Sequence, residues 1–226
     1  MMKEGASIQI RVSIYSDYTC PWCYVGSARF ERLKERLGDD VELVEKWMPF
    51  EIHPEVPSEG MSVDQLPYSK EQFQEMIDYL GEQAAAEGVS ISNLERVSNT
   101  HRALAAATFV QNTYPERFLD FHRRLFEAYF AEGRDLNDEV VLRRTAEEVG
   151  VPSDEMLAAL TGGEYDDAIA ATGEMARRLG ISGTPTFVFE NEFAVVGAHP
   201  VETLHSAVMK VVDTVKDGTT SAGSEA

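Results

Sequence analysis

The chain has 226 residues, of which 43% are hydrophobic, enough for a sizeable core in one large domain or one domain with an insertion. Its 39 Asp and Glu outnumber its 20 Lys and Arg, giving a formal net charge of −19. This charge and the lack of a basic patch argue against a nucleic-acid partner. Lysine is scarce, and an acidic, lysine-poor surface favours solubility in concentrated salt. A halophilic source is therefore a hypothesis, which loss of structure in molar KCl would contradict.

The N-terminal sequence MMKEGASIQIRVSIYSDYTC lacks the apolar run and small-residue cleavage site of an export signal. No stretch approaches the roughly 20 apolar residues that span a bilayer. We therefore expect a soluble, cytoplasmic protein with no membrane partner. Stable structural disulfides are rare in that compartment, so closely spaced cysteines there indicate catalysis, redox sensing or metal binding.

The first elements predict a strand, a helix and a second strand. SIQIRVSIY (7–15) alternates apolar and polar residues with period two, as a half-buried strand does. The helix that follows ends at Gly38, and DVELVEKWMPF (40–50) predicts the second strand. The apolar positions of this helix recur near 3.6-residue spacing: Val25, Ala28, Phe30, Leu33 and Leu37. Two strands joined by a helix within about 40 residues indicate a right-handed parallel crossover.

Residues 64–180 show one helical pattern after another, punctuated by Gly, Pro and Asn. Strand character then returns, with a predicted hairpin of Thr186 to Glu190 and Phe193 to Val196 turning at Asn191-Glu192, and a last helix. This order divides the chain into three regions. They are a discontinuous α/β domain (7–63 and 176–216), an all-helical insertion (64–175) and a small, polar tail expected to be disordered (217–226).

Both cysteines of the chain lie in SDYTCPWC (16–23), where the helix begins. Cys20 falls at or beside the helix N-cap, Pro21 suits the first helical position, and Cys23 lies one turn further. The unpaired N–H groups and the positive end of the helix dipole stabilise a thiolate there. We therefore expect Cys20 to be the nucleophile and Cys23 the more shielded, resolving thiol.

A structural pair of buried small residues and a metal site are the alternatives. The five histidines have no metal-ligand spacing with each other or with the cysteines: His53, His101, His122, His199 and His205. Two thiolates are too few for a closed zinc site in one chain. We therefore predict no bound metal.

Four segments, YSDYTCPWCYVG, PFEIHPEVPSEG, SNTHRALAA and GISGTPTFVFENEFAVVGAHP, resemble the DsbA-like thioredoxin-fold proteins of the FrnE type. The resemblance spans about residues 8–212 and keeps the order of the segments. It implies an α/β thioredoxin fold (βαβ…ββα) with a large helical insertion, thiol–disulfide exchange or disulfide isomerisation on protein or small-thiol partners, and no organic cofactor.

The resemblance also assigns residues. It implies that Cys20 attacks, Cys23 resolves, and Thr184-Pro185 forms a cis-proline loop that offers backbone groups to an extended substrate. Trp22 stands where DsbA itself has His, and cannot supply an imidazolium beside the thiolate. We therefore expect a weaker oxidant, with a reduction potential between about −270 mV for thioredoxin and −120 mV for DsbA.

Asp17, three residues before Cys20, has two interpretations. It is a candidate proton acceptor, through water, for the buried thiol, but an Asp before a helix more often caps it, and we favour capping.

Two further functions compete with disulfide exchange. The related 2-hydroxychromene-2-carboxylate isomerases are glutathione-dependent, but their serine-type site lacks the CxxC. The second competing function is non-enzymatic: the thiolates would bind a metal or serve as a redox sensor. Glutathione is a candidate co-substrate, and the sequence leaves open whether the protein is a monomer or a homodimer.

Overall fold

A computed structural model describes residues 7–92 and 94–218. The chain begins with strand β1 (Ile8–Ser16), helix α1 (Pro21–Leu37) and strand β2 (Val41–Pro49). The strands are parallel and stay in register from Ile8 opposite Val41 to Ser16 opposite Pro49. Gly38, with φ 61°, ends α1. The predicted parallel crossover is therefore confirmed, with strand bounds moved by one residue at each end.

The four-stranded sheet is completed from the far end of the chain. Strand β5 (Thr186–Phe189) lies antiparallel to β1, β6 (Phe193–Val196) pairs with β5, and helix α8 (Val201–Lys216) follows. The strand order is β2-β1-β5-β6. This places the beginning of β5 beside the end of β1, where α1 begins.

The predicted hairpin between β5 and β6 is present, and its loop comprises Glu190, Asn191 and Glu192, since Phe189 pairs with Phe193. The left-handed residues are Glu190 and Asn191 (φ 49° and 59°), and the Glu192 N–H donates to Phe189 O at 3.0 Å. The predicted turn residues Asn191 and Glu192 lie in this loop, but the first strand ends at Phe189, one residue before the predicted Glu190. The Glu190 carboxylate accepts hydrogen bonds from the backbone N–H and guanidinium of Arg11.

Along the described chain, six α-helices lie between β2 and β5. They are α2 (Lys70–Ala86), α3 (His101–Thr113), α4 (Pro115–Phe126), α5 (Glu139–Glu148), α6 (Ser153–Thr161) and α7 (Asp166–Arg178). A π-helical turn, Glu127–Ala131, extends α4. Two short strands, β3 (Met61–Ser62) and β4 (Arg96–Val97), form a separate antiparallel sheet that the sequence did not indicate, because two-residue strands carry no periodicity.

One hydrophobic core runs from the four-stranded sheet into the helical insertion. Tyr24 of α1 packs against both Phe126 and Phe130, with ring centroids 5.2 and 5.4 Å away, and all three rings are buried. The insertion is thus packed onto the first helix of the α/β part. The predicted division at 64–175 stays a prediction, and α7 runs across its second boundary.

No helix among the described residues is both long and apolar enough to cross a membrane. The tail predicted to be disordered, 217–226, lies outside the described residues apart from Asp217 and Gly218.

Candidate active site

The two thiols lie at the N-terminus of α1, just after the end of β1. Cys20 is the N-cap residue, with extended backbone (φ −83°, ψ 112°) and no side-chain capping bond, and Pro21 occupies the first turn. The Cys23 N–H donates to Cys20 O at 2.9 Å, which closes that turn. Both thiols are free; Cys20 is 6% exposed and Cys23 is fully buried. An incoming sulfur can therefore reach only Cys20.

The surroundings of the two thiols displace their pKa values in opposite directions. The pKa of Cys20 is lowered, chiefly because the Cys23 side chain donates a hydrogen bond to its sulfur, with further support from Thr184. The pKa of Cys23 is raised well above its ordinary value, first by burial and then by its interactions with Cys20. The pair therefore favours ionisation of Cys20 before Cys23.

The loop before β5 lies against the outer thiol. The Thr184–Pro185 bond is cis, and the Cys20 thiol lies within hydrogen-bonding reach of Thr184 O, at 3.5 Å. The Gly197 N–H donates to Pro185 O at 2.7 Å and holds the loop from β6. A Cβ added at Gly26 of α1 would lie 2.8 Å from the Pro185 ring, so the absence of a side chain lets helix and loop approach.

Asp17 is buried beside the dithiol but does not cap α1, so the favoured interpretation was wrong. Its carboxylate accepts hydrogen bonds from Thr19 N–H and Oγ1, from Ile52 N–H and from Thr100 Oγ1. Burial raises the pKa of Asp17, while these bonds lower it. Its charge raises the pKa of Cys20. Asp17 therefore joins the end of β1 to the insertion, which no local capping pattern could show.

Trp22, between the two cysteines, is only partly buried. Its ring lies 5.9 Å from that of Tyr79 on α2, which is 55% exposed. An aromatic surface that includes a residue of the insertion therefore borders Cys20.

His122 of α4 is a buried polar residue near the site that the sequence did not single out. Its Nδ1 lies 2.8 Å from Tyr18 Oη and its Nε2 3.2 Å from Ser27 Oγ, while its ring centroid is 3.9 Å from that of Trp47. Burial lowers the pKa of His122 to about 3. A histidine in an apolar helical stripe gave no sequence signal, since its partners lie 95 and 104 residues away.

We expect His122 to make the fold sensitive to acid. An unfolded histidine titrates near pH 6.5, so below that pH the unfolded chain binds a proton that the folded chain excludes. Stability present above pH 6.5 is therefore lost as the pH falls toward 3, by up to about 1.4 kcal/mol per unit. Denaturant unfolding of the wild type and His122→Gln between pH 4 and 7 measures this, and equal slopes for the two would contradict it.

His101 is the matched control, because its titration acts in the other direction. Its ring nitrogens lie 3.0 Å from Glu51 and 3.1 Å from Asp166, and these carboxylates raise its pKa to about 9. The stability that the charged ring contributes is fully present below pH 6.5 and is lost as the pH rises through about 9. His101→Gln should therefore lower stability by a constant amount below pH 6.5, remove the decline between about pH 6.5 and 9, and leave the slope of the acid limb unchanged.

No three His, Cys, Asp or Glu side chains in 7–92 or 94–218 are grouped so that they could hold a metal ion.

A sheet in the order β2-β1-β5-β6, with the crossover helix α1 between β1 and β2, defines the thioredoxin class of fold. The family described as the DSBA-like thioredoxin domain matches residues 11–209. The chain belongs to this family, which implies a thiol–disulfide oxidoreductase, and the resemblance found in the sequence is confirmed.

Individual relatives agree with the family. The chain is 28% identical over 200 residues to the uncharacterized protein YwbO of Bacillus subtilis, covering 88% of this chain and 96% of YwbO. The crystal structure of a probable DsbA oxidoreductase from Streptomyces coelicolor is 31% identical, covers 90% of both chains and superposes with a TM-score of 0.80. A 2-hydroxychromene-2-carboxylate isomerase shares the fold at 17% identity, 92% and 98% coverage and a TM-score of 0.69.

Proposed function

We propose that this protein is a dithiol–disulfide oxidoreductase in which Cys20 attacks and Cys23 resolves. The observation that carries the proposal is the placement of two thiols at a helix N-terminus: Cys20, at the N-cap, reaches the surface beside Thr184 O, and Cys23, one turn further, is fully buried. These surroundings lower the pKa of Cys20, which favours the nucleophilic thiolate, and raise the pKa of Cys23, which keeps the second thiol from reacting before it is needed.

The proposed exchange has two steps, attack and resolution, which together transfer two electrons. The Cys20 thiolate attacks one sulfur of a substrate disulfide, and the other substrate sulfur leaves with the electron pair and takes up a proton. Cys23 then loses its proton and attacks Cys20 Sγ, and the bond to the substrate breaks, releasing a second thiolate. The substrate disulfide is reduced by two electrons and the Cys20–Cys23 pair is oxidised to a disulfide. The reverse sequence oxidises a substrate dithiol and reduces the Cys20–Cys23 disulfide. Isomerisation follows the first attack on a misplaced disulfide when another thiolate of the substrate attacks the mixed disulfide, forms a new substrate disulfide and releases the Cys20 thiolate with no net oxidation or reduction.

The surroundings of Cys20 support protein or small-thiol disulfides as substrates. Thr184 O, beside the sulfur, is a backbone acceptor for an extended chain, and Trp22 with Tyr79 gives an aromatic border. Pro21 and Trp22 fix the helix start and its exposed face, and Asp17 opposes the thiolate electrostatically. We place the protein in the cytoplasm, working without an organic cofactor and with glutathione as a candidate co-substrate.

The equilibrium reduction potential of the Cys20–Cys23 pair tests the function. Full-length protein is equilibrated in glutathione buffers, its free thiols are trapped, and the reduced and oxidised forms are counted by intact mass. We expect a reversible intramolecular disulfide with a potential between about −270 and −120 mV, because Trp22 supplies no positive charge to the Cys20 thiolate.

A matched variant checks the cause of the potential. Trp22→His should move the potential to a more oxidising value by stabilising the Cys20 thiolate. If the wild type forms no reversible disulfide anywhere in this range, the oxidoreductase proposal fails, and metal binding or glutathione-dependent isomerisation takes its place.

A further inference from the structure

In the described chain, two buried hydroxyls that act on the resolving thiol lack a hydrogen bond of ordinary geometry, those of Ser16 and Thr184; the Thr184 loop lies against Cys20, whereas Ser16 lies at the end of β1. Ser16, the last residue of β1, is 6% exposed, and its Oγ is fully buried without a hydrogen bond of ordinary geometry to any described residue. The same hydroxyl faces Cys23, where it acts to lower the pKa of that thiol. Burying an unsatisfied hydroxyl costs stability, so its place at this position calls for a reason.

Ser16 borders a small cavity. Its volume is about 20 Å³, and one water molecule needs roughly 10–15 Å³. The lining includes the buried Ser16, Tyr18 and His122 and the partly exposed Met48 and Gln111. The cavity therefore has room for one water molecule beside the unpaired Ser16 hydroxyl, and part of its lining reaches the protein surface.

The resolving step requires the buried Cys23 thiol to lose its proton. Before Cys23 attacks Cys20 Sγ it must lose a proton, yet burial raises its pKa and excludes solvent from the sulfur. The titratable groups around it are Cys20, Asp17 and Tyr18 from the segment before α1, and His122 across the cavity. Four donors around Asp17 are already engaged by its carboxylate. The unpaired hydroxyls of Ser16 and Thr184 remain as donors for the new thiolate, and of these Ser16 lines the cavity.

We propose that Ser16 is a positioning residue for the resolving step: its hydroxyl stabilises the Cys23 thiolate, and the cavity beside it carries the released proton to solvent. The proton leaves Cys23 Sγ through the Ser16 hydroxyl to water in the cavity. The hydroxyl then donates its hydrogen bond to the thiolate until Cys23 Sγ bonds to Cys20 Sγ and the substrate sulfur departs with the electron pair. This inference rests on the proposed exchange reaction.

Ellman's reagent, an aromatic disulfide, separates the two steps in the full-length reduced protein. Cys20 releases the first coloured thiolate and Cys23 the second, and stopped-flow absorbance follows both. In Ser16→Ala we expect the first phase to stay within about twofold of wild type and the second to slow about tenfold at neutral pH. The pH midpoint of the second phase should rise by about one unit, since a tenfold loss of thiolate is one pKa unit.

Three comparisons make the test specific. Ser16→Thr keeps a hydroxyl and should restore much of the second phase, while Ser13→Ala, on the same strand, should change neither phase. Because the hydroxyl is unsatisfied in the dithiol state, Ser16→Ala should not lower the melting temperature. A second phase of unchanged rate and pH midpoint in Ser16→Ala, or equal slowing of both phases, would overturn the inference. Absence of a second release in the wild type would instead refute the proposed function.

Discussion

We expect the Cys23→Ser variant to stop at a mixed disulfide that the wild type resolves. Cys20 keeps its place at the N-cap of α1 and its contact with Thr184 O, so the first attack proceeds. The serine hydroxyl cannot displace the substrate sulfur, so the covalent intermediate accumulates to nearly one per chain. Turnover with a protein disulfide should fall at least about 100-fold, and intact mass before and after reduction measures the trapped species.

The first attack itself should slow in Cys23→Ser, because the Cys23 thiol is the largest cause of the lowered pKa of Cys20. Cys20→Ser is the matched control: it should trap nothing and lose turnover by about 1,000-fold or more, since the buried Cys23 has no access to substrate. Wild-type turnover in Cys23→Ser would contradict the two-thiol mechanism. Retained glutathione-dependent isomerisation in that variant would favour the isomerase alternative.

Replacing Asp17 should cost more stability than any exposed acidic residue of the chain. Asp17→Ala removes a buried carboxylate and leaves the N–H and hydroxyl of Thr19, the N–H of Ile52 and the hydroxyl of Thr100 without their acceptor. We expect the free energy of unfolding to fall by about 3–5 kcal/mol, since a buried donor without a partner is costly and four are created. Denaturant unfolding measures the change, with exposed Asp39→Ala as the control at about 0.5 kcal/mol or less.

Asp17→Asn separates the structural role of Asp17 from its charge. The amide keeps the shape and one acceptor oxygen, so the stability loss should be smaller, about 1–3 kcal/mol. Removing the charge should also lower the pKa of Cys20, because the Asp17 carboxylate raises it. Alkylation of Cys20 as a function of pH reports this shift. An unchanged or higher Cys20 pKa in Asp17→Asn would contradict the electrostatic assignment.

Local sequence was sufficient wherever neighbouring residues determine the conformation. Cys20 at the N-cap, Pro21 in the first turn and Gly38 after the last turn predicted α1 to within a residue. Period-two alternation predicted β1, and the turn residues Asn191 and Glu192 predicted the hairpin, whose first strand ends one residue earlier than expected.

The sequence by itself determined the dithiol, the helix that carries it and the order of strands and helices, because each depends on residues within a few turns of one another. Only the tertiary structure decided which groups surround the sulfurs. Thr184 lies 164 residues from Cys20, and Thr100 lies 83 residues from Asp17. Such contacts form because distant apolar faces pack into one core, and no local periodicity encodes which polar atoms that packing brings together. The unpaired hydroxyl of Ser16, which acts on Cys23, is likewise recognisable only from the tertiary structure.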